Sequence, residues 1–378
     1  MKKTLTALAA VLAACAACAA APAKSSNAIA RLLNARASGS PRSYAEAAET
    51  VAKEAAEGRP LQQFVIALVA DEASAPAAAR LAPEVRRQYL DRARDKIRAL
   101  AEKKGNALAW YLLSLENKDL QMLRRAADGG NVQALNAYGT ITLTQALTDP
   151  GASEEARGKA VAQSCACFRR AADEGDPNGL YNLGMCHLNA YGVPQNRAEA
   201  LRLFRMAAEA GHPEAINNIG GFYREGIEVE RDVAAAARWF LKSAEMGNPY
   251  GQLNYALALQ RGEGVEKDIA KAVEIFRNSA GQGNAEAMNA YGMCLFNGTG
   301  VAQDRKAAVA WYRRSAAAGF PPAMDNLATC FELGAGGLPK DAHAATVWKV
   351  RGRAARGDGN AAVWLSKNGE TLREEARP

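Results

Sequence analysis

The sequence predicts an all-α protein, a right-handed α-solenoid in which helix-turn-helix repeats of about 36 residues stack on one another. Two observations predict this fold. The block "GEGVEKDIAKAVEIF" at residues 262–276 returns 36 residues later as "GTGVAQDRKAAVAWY" at residues 298–312, and related blocks precede both at the same interval. Each block also carries helix-capping residues at the same places. One helical hairpin cannot bury its apolar face alone, whereas stacked copies can, so a repeated hairpin indicates a solenoid.

The first helix of each repeat begins next to a capping residue and ends at a glycine. Asn248-Pro249 and Asp176-Pro177 place an N-cap side chain directly before a proline at the first helical position. The glycine that follows the helix suits a left-handed C-cap. The repeats start at Pro177, Pro213, Pro249, Ala285 and Pro321, and the C-cap glycines are Gly226, Gly262, Gly298 and Gly334.

The second helix begins after an Asn or Asp N-cap and carries an alanine and an aromatic residue four positions apart, which puts both on one face. The N-caps are Asn196, Asp232, Asp268 and Asp304, and the aromatic residues are Phe204, Phe240, Phe276 and Tyr312. A small residue inside the first helix, such as Gly220 or Gly292, predicts a close contact between helices. Each repeat is therefore a helix, a loop, a second helix and a turn.

The residues that recur at equivalent repeat positions resemble those of the Sel-1-like repeat family, which is related to tetratricopeptide repeats. The matching residues of one repeat are Ala287, Tyr291-Gly292, Gly298, Gly300-Val301, Asp304, Lys306-Ala307 and Trp311-Tyr312. The resemblance covers residues 131–358 and weakens at residues 148–159 and in the last repeat. It implies a scaffold or adaptor that binds a partner protein or an extended peptide in a concave groove and has no chemistry of its own.

The N-terminus has the pattern of a lipoprotein signal peptide over residues 1–14. Lys2 and Lys3 precede a short apolar segment, and Leu12-Ala13-Ala14-Cys15 resembles the box in which cleavage exposes a cysteine for acylation. Cys15 is thus the predicted lipidation site, and the lipid is the only predicted contact with a membrane. Ala16 after the cysteine favours the outer membrane by resemblance to Gram-negative sorting rules. The alternative is cleavage after Ala21, which gives a soluble periplasmic protein.

The rest of the chain divides into four segments. Residues 15–43 form a tether, 44–130 degenerate helical repeats, 131–358 the clear repeat array, and 359–378 a C-terminal cap and tail. The basic stretch Arg86–Lys104 is interpreted as a solvated helix face, with contact to anionic lipid or a partner as the alternative.

The sequence offers no catalytic motif. It lacks H-E-x-x-H, G-x-S-x-G, S-x-x-K and G-x-x-x-x-G-K-[ST]. We therefore expect no enzyme activity, no cofactor, no metal and, at a dispersed net charge of +7, no nucleic-acid partner. Some cysteine-rich bacterial relatives are described as β-lactamases or penicillin binders, so a peptidoglycan- or β-lactam-binding protein with weak or no hydrolase activity is the alternative function.

Five cysteines follow the tether. Cys186, Cys294 and Cys330 share one repeat position and are expected to be buried. Cys165 and Cys167 are two residues apart on a helix and point about 200° apart, which argues against a shared zinc ion. A disulfide from Cys165 or Cys167 to Cys186 is one interpretation, and small apolar thiols in the packing are the favoured one.

The sixth residue of the repeat is the main candidate for binding. In the related tetratricopeptide solenoids the first helices line the concave surface. The resemblance implies that a ladder of asparagines there can hold an extended peptide by its backbone, because each amide offers both a donor and an acceptor. The alternative is a structural residue bonded within the array. The candidates at this position are Asn182, Asn218, Asn254 and Asn326, and those at the preceding position are Tyr181, Asn217 and Asn289.

Overall fold

The computed structural model describes residues 41–56, 60–69 and 81–368, together with Leu32. The predicted signal peptide, Cys15, most of the predicted tether and residues 369–378 of the predicted cap and tail lie outside the described residues. The described segments contain 18 helices and no strand, which confirms the all-α repeat fold. The helices are α1 Pro41–Ala56, α2 Pro60–Val69, α3 Pro83–Lys104, α4 Ala107–Asn117, α5 Leu120–Asp128, α6 Val132–Thr148, α7 Glu154–Asp173, α8 Pro177–Asn189, α9 Arg197–Glu209, α10 Pro213–Glu225, α11 Val233–Glu245, α12 Pro249–Arg261, α13 Ile269–Gly281, α14 Ala285–Asn297, α15 Arg305–Ala317, α16 Pro321–Leu333, α17 Ala342–Ala355 and α18 Gly359–Lys367.

The chain forms two compact units that divide within α10, after Ile216. In the first unit each helix packs mainly on its neighbours in sequence, and α6–α7, α7–α8 and α8–α9 form the most extensive contacts. Ile97, Leu112 and Leu135 are fully buried in one continuous core of this unit. The basic helix α3 buries only one face, through residues such as Ile97 and Ala101, and exposes the rest.

The second unit continues the same arrangement from Asn217 onward. Helices α12–α13, α14–α15 and α16–α17 form hairpins, and each hairpin also packs on the next. The column of aromatic residues fills their interior, with Phe276 fully buried. Among the described residues, no helix combines the length and the apolar composition needed to cross a membrane.

The predicted helix caps are confirmed. The side chain of Asn248 accepts a hydrogen bond from the Gly251 N–H at 2.8 Å, and Asp268 accepts one from the Lys271 N–H at 2.9 Å. Gly262 ends α12 with φ 74°, a left-handed conformation that glycine adopts without steric cost. Ala190 and Glu228 adopt positive φ in corresponding loops, with φ of 59° and 56°, although neither is glycine.

The small residues inside the first helices allow close helix contact, as the sequence predicts. A Cβ atom on Gly220 would lie 2.6 Å from the ring of Phe240, and one on Gly292 would lie 2.8 Å from the ring of Tyr312. The aromatic column of the second helix therefore packs directly on the backbone of the first helix. A larger residue at either glycine would separate the two helices of the repeat.

Candidate partner-binding surface

Asparagines of adjacent repeats pair with each other in the second unit. The Asn254 Nδ2 donates to Asn217 Oδ1 at 2.8 Å, and the Asn326 Nδ2 donates to Asn289 Oδ1 at 2.8 Å. Each pair joins the sixth residue of one first helix to the fifth residue of the preceding first helix. Ala290 stands where a third such donor would otherwise lie, so the pairs occur at alternate junctions.

The structure thus joins four of the seven predicted binding residues in two pairs. Each pair uses one amide hydrogen of the donor and leaves its second hydrogen available to another acceptor. The donors are half-buried, whereas Asn289 is only 7% exposed. Asn182 and Asn218 are also half-buried on first helices. Peptide binding by these residues stays a prediction.

One exposed and one half-buried apolar side chain lie beside the asparagine pairs. Met293 is 45% exposed, and its sulfur accepts a contact of 3.5 Å from Asn289 Nδ2. Leu257 is half-buried and lines a pocket together with Asn254. We call the surface formed by Asn217, Asn254, Leu257, Met293 and Asn326 the first-helix face of the second unit.

A small pocket of about 20 Å³ lies between helices α10, α11 and α12 of the second unit. Its apolar wall includes Phe240 and Leu257, and its polar rim includes Arg224, Asn254 and Arg261. Sequence reasoning missed this pocket, because no motif marks it. The signal that points to it is the pair of arginines, which the other repeats do not carry at those positions.

The predicted site residue Tyr181 belongs to the packing of the first unit. Its ring stacks on the imidazole of His212, with centroids 4.5 Å apart. His212 is only 1% exposed, and its Nδ1 accepts a hydrogen bond from the Ala215 N–H at 3.3 Å. The histidine thus caps a helix where three other repeats use Asp176, Asn248 or Asn284, and burial lowers its pKa to about 3.

Buried serines also tie the two helices of a repeat together, and sequence reasoning missed them. The Ser279 hydroxyl donates to the Pro249 carbonyl at 2.7 Å, and the Ser315 hydroxyl donates to the Ala285 carbonyl at 2.6 Å. Both serines are fully buried. Their recurrence at one repeat position, with Ser243 as the preceding copy, was the available signal.

All five described cysteines are buried free thiols. The Cys165 and Cys186 thiols are hydrogen-bonded, which lowers the pKa of Cys165 and raises that of Cys186. Cys167 instead lies in the apolar core of the first unit, where burial raises its pKa. The disulfide interpretation stays a prediction, and the geometry favours Cys165 over Cys167 as the partner. Three or more potential metal-ligating side chains do not come together anywhere in the described segments.

Comparison with known proteins finds one family model that matches the repeats. A model of the Sel1 repeat matches residues 177–212, 213–248, 249–284, 285–320 and 321–348. None of the curated protein sequences is similar to this chain.

Two solved structures resemble the chain over long stretches. One is a protective antigen of uropathogenic Escherichia coli strains with an SLR fold, at 27% identity and a TM-score of 0.50, covering 85% of this chain and 67% of the antigen. The other is a Sel1 repeat protein from Oxalobacter formigenes, at 27% identity and a TM-score of 0.54, covering 65% of this chain and 95% of that protein.

Proposed function

Residues 177–348 belong to the Sel1 repeat family, whose members are typically non-catalytic scaffolds for protein–protein interaction, and from that premise we propose that this chain is an adaptor of the bacterial cell envelope. It binds a partner protein or an extended peptide on its first helices. The signal-peptide pattern and Cys15 hold it at the periplasmic side of the outer membrane through a lipid.

The observation that carries the binding proposal is the pairing of asparagines on the first-helix face. Asn254 and Asn326 are held by neighbouring repeats, so their side chains are ordered before a partner arrives. Ordering in advance lowers the entropy that binding must remove. The remaining amide hydrogens can donate to a peptide backbone, and Leu257 and Met293 offer apolar contact beside them.

The anchor is tested by fractionating cells that express the full chain or Cys15→Ala. We expect the wild-type chain in the membrane fraction, because a multiply acylated cysteine anchors firmly, and the variant in the soluble periplasmic fraction or as uncleaved precursor. Equal partition of both proteins would show that Cys15 carries no anchor. Labelling with palmitate provides a direct second readout.

The scaffold role is tested by crosslinking intact envelopes and purifying the full chain. One specific protein that is recovered with both the wild-type chain and Cys15→Ala supports an adaptor. Recovery of cell-wall fragments alone, with no protein, would instead support the alternative of an envelope-binding protein.

A further inference from the structure

We propose that the pocket between α10, α11 and α12 binds the C-terminal carboxylate of a peptide whose last residue has a small apolar side chain. The inference rests on the proposed function and names the chemistry of the partner at one point of the first-helix face. Two arginines, one amide and an apolar wall meet there within a single unit.

Arg224 is positioned on the pocket rim by three contacts. Its Nη1 donates to Asn254 Oδ1 at 3.2 Å, its Nε donates to Glu225 Oε1 at 2.8 Å, and its Cζ lies 5.5 Å from the centre of the Phe240 ring. These contacts fix the plane of the guanidinium. Among the interactions of the described residues, none engages its Nη2, which leaves donors for an anion.

Arg261 supplies the second cation and is held more loosely. It is 58% exposed, and its nearest acidic group in the described structure is Glu263 Oε1, 3.7 Å from Nη1. That distance is too long for a hydrogen bond, so the five donors of Arg261 are available. Arginine binds carboxylates with two parallel hydrogen bonds, which makes a carboxylate the best-fitting anion.

The repeat framework does not require these arginines. At the position of Arg224 the other repeats carry Leu188, Gln260, Phe296 and Glu332, and at the position of Arg261 they carry Asn189, Glu225, Asn297 and Leu333. The helix caps and the aromatic residues recur from repeat to repeat because the fold needs them. The residues at these two positions vary between repeats, so the fold does not need arginine there. The two arginines therefore distinguish this junction from the other junctions in the array.

The size and the lining of the pocket select the kind of carboxylate. Its volume of about 20 Å³ admits one carboxylate oxygen or one methyl group, so the rest of a bound C-terminal residue lies outside it, against the rim. Val233, Ala236, Leu257 and Ala258 form an apolar wall beside the arginine rim. A C-terminal valine or alanine presents a carboxylate and a small apolar side chain from the same carbon atom, whereas an Asp or Glu side chain offers no such apolar group.

Glu263 limits the affinity of this pocket. It lines the pocket beside Arg261 and competes with an incoming carboxylate for that guanidinium. Replacing Glu263 with Gln removes the competing charge and keeps the size of the side chain. We expect Glu263→Gln to bind a carboxylate about threefold more tightly, the size of effect typical of an exposed ion pair.

The test is a titration of the ¹⁵N-labelled full chain with N-acetylvaline at pH 7, followed through the arginine side-chain Nε–Hε signals. We expect saturable shifts of the Arg224 and Arg261 signals with N-acetylvaline and none with N-acetylvaline amide. Arg261→Gln should weaken binding by about tenfold or more, the loss expected for a hydrogen bond to a charged group. Arg277→Gln, which removes an exposed arginine on α13 outside the pocket, should leave binding unchanged.

Three results would overturn the inference. They are equal shifts with the acid and the amide, stronger binding of N-acetylglutamate α-amide than of N-acetylvaline, and no shift of either arginine signal at saturating probe. If crosslinking of envelopes captures a protein partner and any of these results is also obtained, the proposed function is supported and the pocket is not its binding site. Carboxylate binding without a protein partner would support the proposed pocket and contradict the proposed scaffold function.

Discussion

The Asn254 side chain donates a 2.8 Å hydrogen bond to the side chain of Asn217, 37 residues earlier and one repeat away. The bond joins the first helices of successive repeats directly, side chain to side chain. It therefore stabilises the interface between neighbouring repeats, and the free energy of these interfaces holds a repeat array together.

The asparagine pair should behave as a coupled unit in unfolding experiments. In a double-mutant cycle of Asn217→Ala and Asn254→Ala, we expect a coupling free energy of about 1 kcal/mol, because either single variant leaves a half-buried amide without its partner. Urea unfolding of the four proteins measures it. Asn278→Ala, an exposed asparagine on α13, serves as the control and should change stability by less than about 0.5 kcal/mol. Additive effects of the two substitutions would show that the pair carries no interaction energy.

Gly264 is the most constrained glycine of the loops. It has φ 72°, and a Cβ atom there would lie 2.1 Å from the Val233 carbonyl oxygen. We expect Gly264→Ala to lower the free energy of unfolding by about 2 kcal/mol or more, since left-handed strain adds to a backbone clash. Gly281→Ala, where a Cβ meets nothing within 4 Å, should instead raise it by about 0.5–1 kcal/mol. A neutral Gly264→Ala would mean that the loop does not pack on α11 as described.

His212 should make the stability of the protein depend on pH. Burial lowers its pKa to about 3 in the folded chain, against about 6.5 in the unfolded chain. The unfolded state therefore binds the proton first, so the stabilising contribution is complete above pH 6.5 and is lost progressively toward pH 3. The carboxylate of Glu214 lies 3.3 Å from Nδ1, but Nδ1 already accepts the Ala215 N–H, so burial determines the pKa.

Urea unfolding at pH 7 and pH 5 tests the histidine directly. We expect the free energy of unfolding to fall by about 2 kcal/mol more in the wild-type chain than in His212→Asn over this interval. Asparagine caps a helix at Asn248, so His212→Asn keeps a capping side chain. Loss of the cap therefore does not contribute to the difference between the two proteins. Identical pH dependence in the two proteins would place the pKa of His212 near its ordinary value.

The Cys165 and Cys186 thiols should form a disulfide selectively under oxidation. Oxidised glutathione accepts the two electrons, and the two interacting thiols lie on the packed helices α7 and α8. We expect peptide mapping to find a Cys165–Cys186 crosslink in the wild-type chain and in Cys167→Ser, and none in Cys165→Ser. A crosslink that contains Cys167 would contradict the geometry, because that residue faces about 200° away on the same helix.

Much of the fold could be predicted because its determinants are local. A cap such as Asn248 and a left-handed glycine such as Gly262 are specified by a few neighbouring residues, and the 36-residue interval repeats them. The close approach of Gly220 to Phe240 also followed from the pattern, since a small residue recurs opposite an aromatic column. Each cap or glycine alone is weak evidence for a helix boundary, and its recurrence from repeat to repeat makes the prediction reliable.

The candidate site was harder to predict because it depends on contacts between repeats. The asparagine column was identified from the sequence, but the donor–acceptor pairing of Asn326 with Asn289 depends on how adjacent first helices are offset. The pocket at Arg224 and Arg261 combines three helices of two repeats, and no single repeat contains it. The complete burial of His212 was likewise hidden, because its position indicated only a cap.

Site-specific photocrosslinking tests whether partners bind on the first helices. A benzophenone amino acid is placed at Met293 on the first-helix face, or at Arg277 on the exposed side of the second helix α13, in the full chain expressed in cells. We expect a discrete protein adduct from position 293 and none from position 277. Equal adducts from both positions, or an adduct from position 277 alone, would contradict binding on the first helices.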